Sequence, residues 1–304
     1  MSENFDSALT YTSYLAVDEL LKLQKPLSDG PEHDEMLFII IHQTYELWFK
    51  QILHEAAALQ QALEAGATFR SLSLLGRIRT IMKTCVSQLD ILETMTPLQF
   101  NSFRNRLQSS SGFQSAQFRE LEAVLGRRDA AGADAPKSSG MGMADHLVPG
   151  SDARLRVEAA MNRPSLWDST LHYLASRGHR FPSDVLQRDV ATGYRGDSRV
   201  QQELLLVHRN DQEAALVCEA LVDVERIRGF ATTIPQEHHA GAGNAAIEGR
   251  HREGQQLGRQ QADAHQLGRD VHVAHRHEGA PDPPVQDVRG DPGEEHHNAQ
   301  QHEV

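Results

Sequence analysis

The chain has 304 residues, a formal charge of −12 before histidine is counted, and 39% apolar residues. That length is a prior of one or two domains, and the acidic balance argues against a phosphate-tracking surface, so no nucleic-acid partner is expected. No stretch approaches the roughly 18–20 apolar residues needed to cross a bilayer, so no membrane span is expected.

The N-terminus, MSENFDSALT, has neither a basic n-region nor an apolar h-region. Two cysteines, Cys85 and Cys218, cannot build a disulfide framework and sit in apolar helical surroundings. A reducing, cytoplasmic location fits that usage.

Residues 33 to 64 carry a helical apolar pattern: Leu37, Phe38, Ile41, Tyr45, Trp48, Phe49 and Ile52, then an alanine-rich stretch to Gly66. Leu75, Ile78, Met82, Cys85, Leu89 and Leu92 alternate spacings of three and four, an a/d seam facing a partner helix. Thr96-Pro97-Leu98-Gln99 sets Thr at an N-cap, Pro at N1 and Gln at N3, so a short helix is predicted from there through Leu107. SSSGFQS (109–115) reads as a turn, and a further helix runs to about Leu125. Gly126–Gly142 reads as a connector, and helices are predicted near 152–162, 165–176 and 198–224. No strand with period-two alternation is predicted. The fold expected is all-α, a bundle of long antiparallel helices.

Beyond Phe230 the composition changes. That stretch has no Trp, Tyr, Phe or Met, only Leu257 and Leu267 as leucines, and ten of the 17 histidines. So little apolar area cannot offset an ordering entropy of about 1–2 kcal/mol per residue, and disorder is predicted for the tail. The division expected is a helical domain over 1–230 and an atypical His/Gln/Gly/Arg-rich tail over 231–304. A reading-frame change near residue 225 would produce such a switch. The tail histidines sit in no HExxH helix and have no paired cysteines, so they read as a solvated, adventitious metal binder.

Two clusters carry the candidate chemistry. His42 interrupts the most apolar run, with Phe38 four residues earlier on the same face. It is either a core histidine satisfied by one hydrogen bond or a neutral imidazole set over a cofactor or a substrate N–H. Phe100 and Arg104 are likewise one turn apart, with Phe103 between them. Arg104 is either a surface side chain covering an apolar face or a fork for the carboxylate of an aromatic amino acid.

Four segments together, LTYTSYLAVDELLKLQKPLS (9–28), MLFIIIHQTYELWFKQILHE (36–55), MTPLQFNSFRNRLQSSSGFQSAQFRELE (95–122) and PSLWD (164–168), resemble tryptophan 2,3-dioxygenase. The resemblance spans about Leu9 to Glu225. It implies a haem-dioxygenase-like all-α homotetramer that binds haem b (iron). It also implies that O2 is inserted across the indole C2–C3 bond of L-tryptophan to give N-formyl-L-kynurenine, a step of tryptophan catabolism in the kynurenine pathway.

By that resemblance His42 is the catalytic residue on the distal side, near the indole N–H. Phe38 packs on the indole within a substrate-binding run of Phe38, Ile39, Ile40, Ile41 and His42, and Phe100 and Arg104 complete the pocket, Arg104 holding the carboxylate. Tyr11, Tyr14 and Leu15 match a segment that reaches into a neighbouring subunit's pocket.

The sequence also departs from the family pattern. Phe100 stands where the family usually has Tyr. After ALVDVE the family's WRxxH segment and GTGG loop are absent, and the chain reads RIRGFATTIPQEHHAGAG. His239 is the axial-ligand candidate there, with His238 as runner-up. The alternative function is therefore an inactive dioxygenase-like remnant that only oligomerises or weakly binds haem or tryptophan.

Overall fold

A computed structural model of the chain describes residues 9–30, 32–107, 114–129 and 142–231, with side chains described to Ile227. All regular structure among the described residues is helical. The disorder predicted for the tail, the axial-ligand candidates His238 and His239, and most of the SSSGFQS turn and the Gly126–Gly142 connector lie outside the described residues.

Two short helices, α1 (Tyr11–Leu15) and α2 (Val17–Leu20), lead into the long α3 (His33–Glu64). Asp34 and Glu35 lie in the first turn of α3, where the helix dipole favours negative charge. The helix stops at a Schellman closure. Gly66 adopts φ +67°, a conformation without penalty only for glycine, and the Ala67 N–H donates back to the Ala62 carbonyl at 2.8 Å. That tight exit returns the chain antiparallel as α4 (Thr68–Leu92).

Two cross-links show the register of the hairpin. Tyr45 donates its hydroxyl to the Cys85 carbonyl at 2.9 Å, and Arg77 pairs with the buried Glu55 at 3.0 Å. The seam read from the sequence faces inward: Leu75, Ile78, Met82, Cys85 and Leu92 are buried, and Leu89 is half-buried.

α5 (Pro97–Arg104) starts as its sequence predicts. Thr96 accepts the Gln99 N–H at 3.3 Å, and the Gln99 side chain accepts the Thr96 N–H at 2.7 Å, a reciprocal capping box. A single 3₁₀ turn, Asn105–Leu107, follows. The later helices are α6 (Ala116–Val124), α7 (Asp152–Met161), α8 (Leu166–Ser176), α9 (Ser183–Leu186), α10 (Ser198–Asn210) and α11 (Gln212–Ala231).

The single helix expected over 198–224 is therefore two. Asp211 leaves helical geometry at φ −135°, ψ 84°. Its carboxylate accepts the Ala214 N–H at 3.1 Å and forms a two-point pair with Arg177 of α8 at 2.6 and 2.8 Å. A cap and a tertiary clamp on one residue outweigh the continuity of the apolar pattern there.

The main core is built from α3, α4, α8, α10 and α11, with Leu59, Ile78, Leu174, Val200, Val217 and Val224 fully enclosed. α11 lies along α4, and Arg79 pairs with Asp223 across that contact at 2.8 Å. A smaller cluster joins Ala123 of α6 to Val157 and Ala160 of α7. α5 packs on the first half of α3, at the edge of the main core. Among the described residues no helix is long and apolar enough to cross a membrane.

Candidate functional site

The contact of α3 with α5 gathers four rings. Phe38 and His42, one helical turn apart, have centroids 4.1 Å apart and planes tilted by 37°. Phe100 reaches Phe38 from α5 at 5.7 Å, and Phe103 meets Phe38 at 5.7 Å and Phe100 at 5.5 Å, edge to face. Such pairs each contribute about 0.5–1.5 kcal/mol beyond the area they bury. Phe103 is fully enclosed, while Phe38, His42 and Phe100 are half-buried and so keep part of their surface for a ligand. Arg104 extends from the same turn of α5, its guanidinium carbon 5.4 Å from the centroid of the Phe100 ring. A cation over an aromatic face at an exposed position is held by about 0.5–1 kcal/mol.

The imidazole has a defined polarity. His42 Nδ1 lies 2.8 Å from the Phe38 carbonyl oxygen, which can only accept, so Nδ1 carries the proton and donates. In the neutral ring Nε2 is then the acceptor nitrogen. The cluster therefore brings together flat apolar walls, an imidazole and a guanidinium. That set suits a planar aromatic ligand with an N–H and a carboxylate.

At the head of α3 the buried Glu35 lies on the same helical stripe as Phe38 and His42. Its two carboxylate oxygens accept the N–H groups of Leu27 and Ser28 at 2.7 and 3.0 Å. Burial pushes its pKa up, but the Leu27 N–H, Ser28 and the Arg106 charge together outweigh that and hold it below the ordinary glutamate value. Away from the cluster, burial raises the Cys85 and Cys218 thiols to about 12, so neither is a nucleophile at neutral pH.

Of the residues predicted from the sequence, Phe38, His42, Phe100 and Arg104 come together. The three isoleucines do not share one face, because successive helical residues point about 100° apart. Ile41 is buried, Ile40 is 45% exposed and Ile39 is intermediate. Tyr11, Tyr14 and Leu15 lie on α1, which buries no residue of its own, with Tyr11 and Tyr14 more than two-thirds exposed. Glu35, whose carboxylate anchors the Leu27 and Ser28 amides, is not among the residues predicted from the sequence.

The aromatic walls would suit a flat ring system, whether a substrate or a macrocycle. Among the described residues no group of three or more His, Cys, Asp or Glu side chains could hold a metal ion.

The tryptophan 2,3-dioxygenase family profile matches residues 2–136. A tryptophan 2,3-dioxygenase of Anaeromyxobacter sp. (strain K) is 52% identical over 220 residues, covering 72% of this chain and 77% of the relative. One from Herpetosiphon aurantiacus is 49% identical over 218 residues, covering 72% and 79%, and one from Bordetella parapertussis is 40% identical over 209 residues, covering 69% of each.

Proposed function

The chain belongs to the tryptophan 2,3-dioxygenase family, and on that premise we propose that it is a haem-dependent dioxygenase converting L-tryptophan and O2 to N-formyl-L-kynurenine. The observation that carries this reading is the joining of Phe38, His42, Phe100 and Arg104 into one half-open cluster whose polarity complements tryptophan. The homotetrameric state and cytoplasmic location of the family's members are taken over as part of the proposal, as is a division near residue 230 between the helical domain and the tail.

The substrate is held at three points. Arg104 forks the carboxylate, a charge-assisted contact of about 1.5–3 kcal/mol. The Phe100 ring beneath the guanidinium limits its motion before substrate arrives, so less ordering is needed on binding. Phe38 offers its face to the indole, and Phe103, packed edge-on against both Phe38 and Phe100, fixes the separation of the two walls.

His42 acts at the indole nitrogen. With Nδ1 donating to the Phe38 carbonyl, Nε2 accepts the indole N–H and fixes the rotation of the ring about its normal. A protonated imidazole would present a donor to a donor, so the neutral form is the binding form. Side chains cannot activate dioxygen, and bound haem supplies that chemistry. His239, or His238 in its place, is the residue proposed to hold the iron if haem binds. Tyr11, Tyr14 and Leu15, exposed on their own protomer, are proposed to close a neighbouring copy's pocket against water.

The test is turnover by the full 304-residue chain loaded with haem, with labelled O2 and mass analysis of the product. The proposal expects N-formyl-L-kynurenine carrying both oxygen atoms of one O2. Tryptophan binding without product would instead support the inactive-remnant reading.

A further inference from the structure

The segment between α2 and α3 is tied down although it buries little of itself. Glu35 is 1% exposed, and burying a carboxylate without partners is costly, so the Leu27 and Ser28 N–H groups that meet its two oxygens are a structural requirement. Gln43, the neighbour of His42, accepts from the Gln24 side chain at 2.6 Å and donates to the Leu23 carbonyl at 3.3 Å. At the other end Asp29 pairs with Arg106, two residues past Arg104, at 3.2 Å. The segment from Leu23 to Asp29 therefore bridges the two elements that carry the site. α3 supplies the tight contacts, and the Asp29–Arg106 pair, exposed on both sides, adds little.

What this segment leads into is largely exposed. α1 and α2 bury no residue, and Leu9, Tyr11, Tyr14 and Leu21 are each more than two-thirds exposed. A firmly rooted segment that ends in an exposed apolar arm suits an element whose direction matters more than its local stability.

We propose that Glu35 is a positioning residue: by clamping the Leu27 and Ser28 amides to the head of α3, it sets the direction in which the Tyr11–Leu20 arm leaves its protomer to reach the pocket of a second copy. This rests on the reading above, in which tryptophan binds in a pocket completed by a neighbouring copy's arm. Glu35 touches neither substrate nor reacting atoms. Its effect is felt in the pocket of the copy that receives the arm.

Glu35→Gln removes the charge and turns an amide NH2 towards one of the two backbone donors. In the full haem-loaded chain it is expected to speed hydrogen exchange at Leu27 and Ser28. The KM for L-tryptophan should rise roughly three- to tenfold with kcat little altered, because binding is lost and the chemistry is not. Gln43→Ala loosens the same segment from the other side and should move KM the same way by less, which keeps the test alive if the Glu35 variant folds poorly.

The distinguishing experiment co-expresses differently tagged Glu35→Gln and His42→Ala subunits. A His42→Ala subunit has an impaired site of its own but lends a correctly directed arm. Mixed oligomers should therefore recover a wild-type KM at the Glu35→Gln sites. An elevated KM in the mixed oligomers would place the effect in Glu35's own pocket and overturn the proposal, as would unchanged exchange and KM in both single variants. Wild-type protein that fails to bind tryptophan or to oligomerise would instead defeat the reading on which the proposal rests.

Discussion

Arg104→Ala separates the carboxylate fork from every other part of the site. Arg104 is exposed and sits 5.4 Å over Phe100 at the end of α5, outside the buried core, so its removal should change stability by no more than about 0.5 kcal/mol. The substrate contact it supplies is a charge-assisted bond of about 1.5–3 kcal/mol, which corresponds to a roughly ten- to 150-fold change in affinity. Calorimetric titration of the haem-loaded chain with L-tryptophan and with tryptamine, which keeps the indole and ammonium but lacks the carboxylate, isolates that term. The intact protein should prefer tryptophan by about the factor just given, and in Arg104→Ala the preference should fall to within about twofold. Haem content should be unaltered. Equal losses for the two ligands, or loss of haem with the side chain, would refute the reasoning.

Three further perturbations probe the scaffold. Leu59 has no exposed surface at the centre of the main core, so Leu59→Ala should lower unfolding free energy by about 2–5 kcal/mol, read by denaturant titration. Thr96→Ala removes one arm of the capping box that starts α5 and should cost about 1 kcal/mol. Asp211, held down to about 2 chiefly by its hydrogen bonds to Arg177, supplies stability that is complete above the ordinary aspartate range and lost as pH falls through about 2. Both partners are partly solvated, so Asp211→Asn should cost about 1–2 kcal/mol at pH 7. The gap from wild type should close on acidification.

The parts of this fold that were legible in the sequence are those governed by local rules. The span of α3, the seam of α4 and the capping box of α5 follow from periodicity and side-chain chemistry within a few residues, and the structure bears them out. The pairing of Phe38 with His42 is likewise a matter of helical spacing. The break at Asp211 was not legible, because the Arg177 that clamps it is 34 residues away. Glu35 escaped for a similar reason. In the first turn of a helix a glutamate looks like an ordinary complement to the dipole, and only the return of Leu27 and Ser28 shows its other use. The meeting of Phe100 with Phe38 joins two helices, and composition alone did not bring them together; the family resemblance did.

A crystal structure of the haem-loaded chain with L-tryptophan bound tests the site most directly. The account predicts the substrate carboxylate within hydrogen-bonding distance of the Arg104 guanidinium, the indole against Phe38, and the indole N–H directed at His42 Nε2. Tryptophan bound away from the α3–α5 contact, or lying there with its carboxylate turned from Arg104, would contradict it.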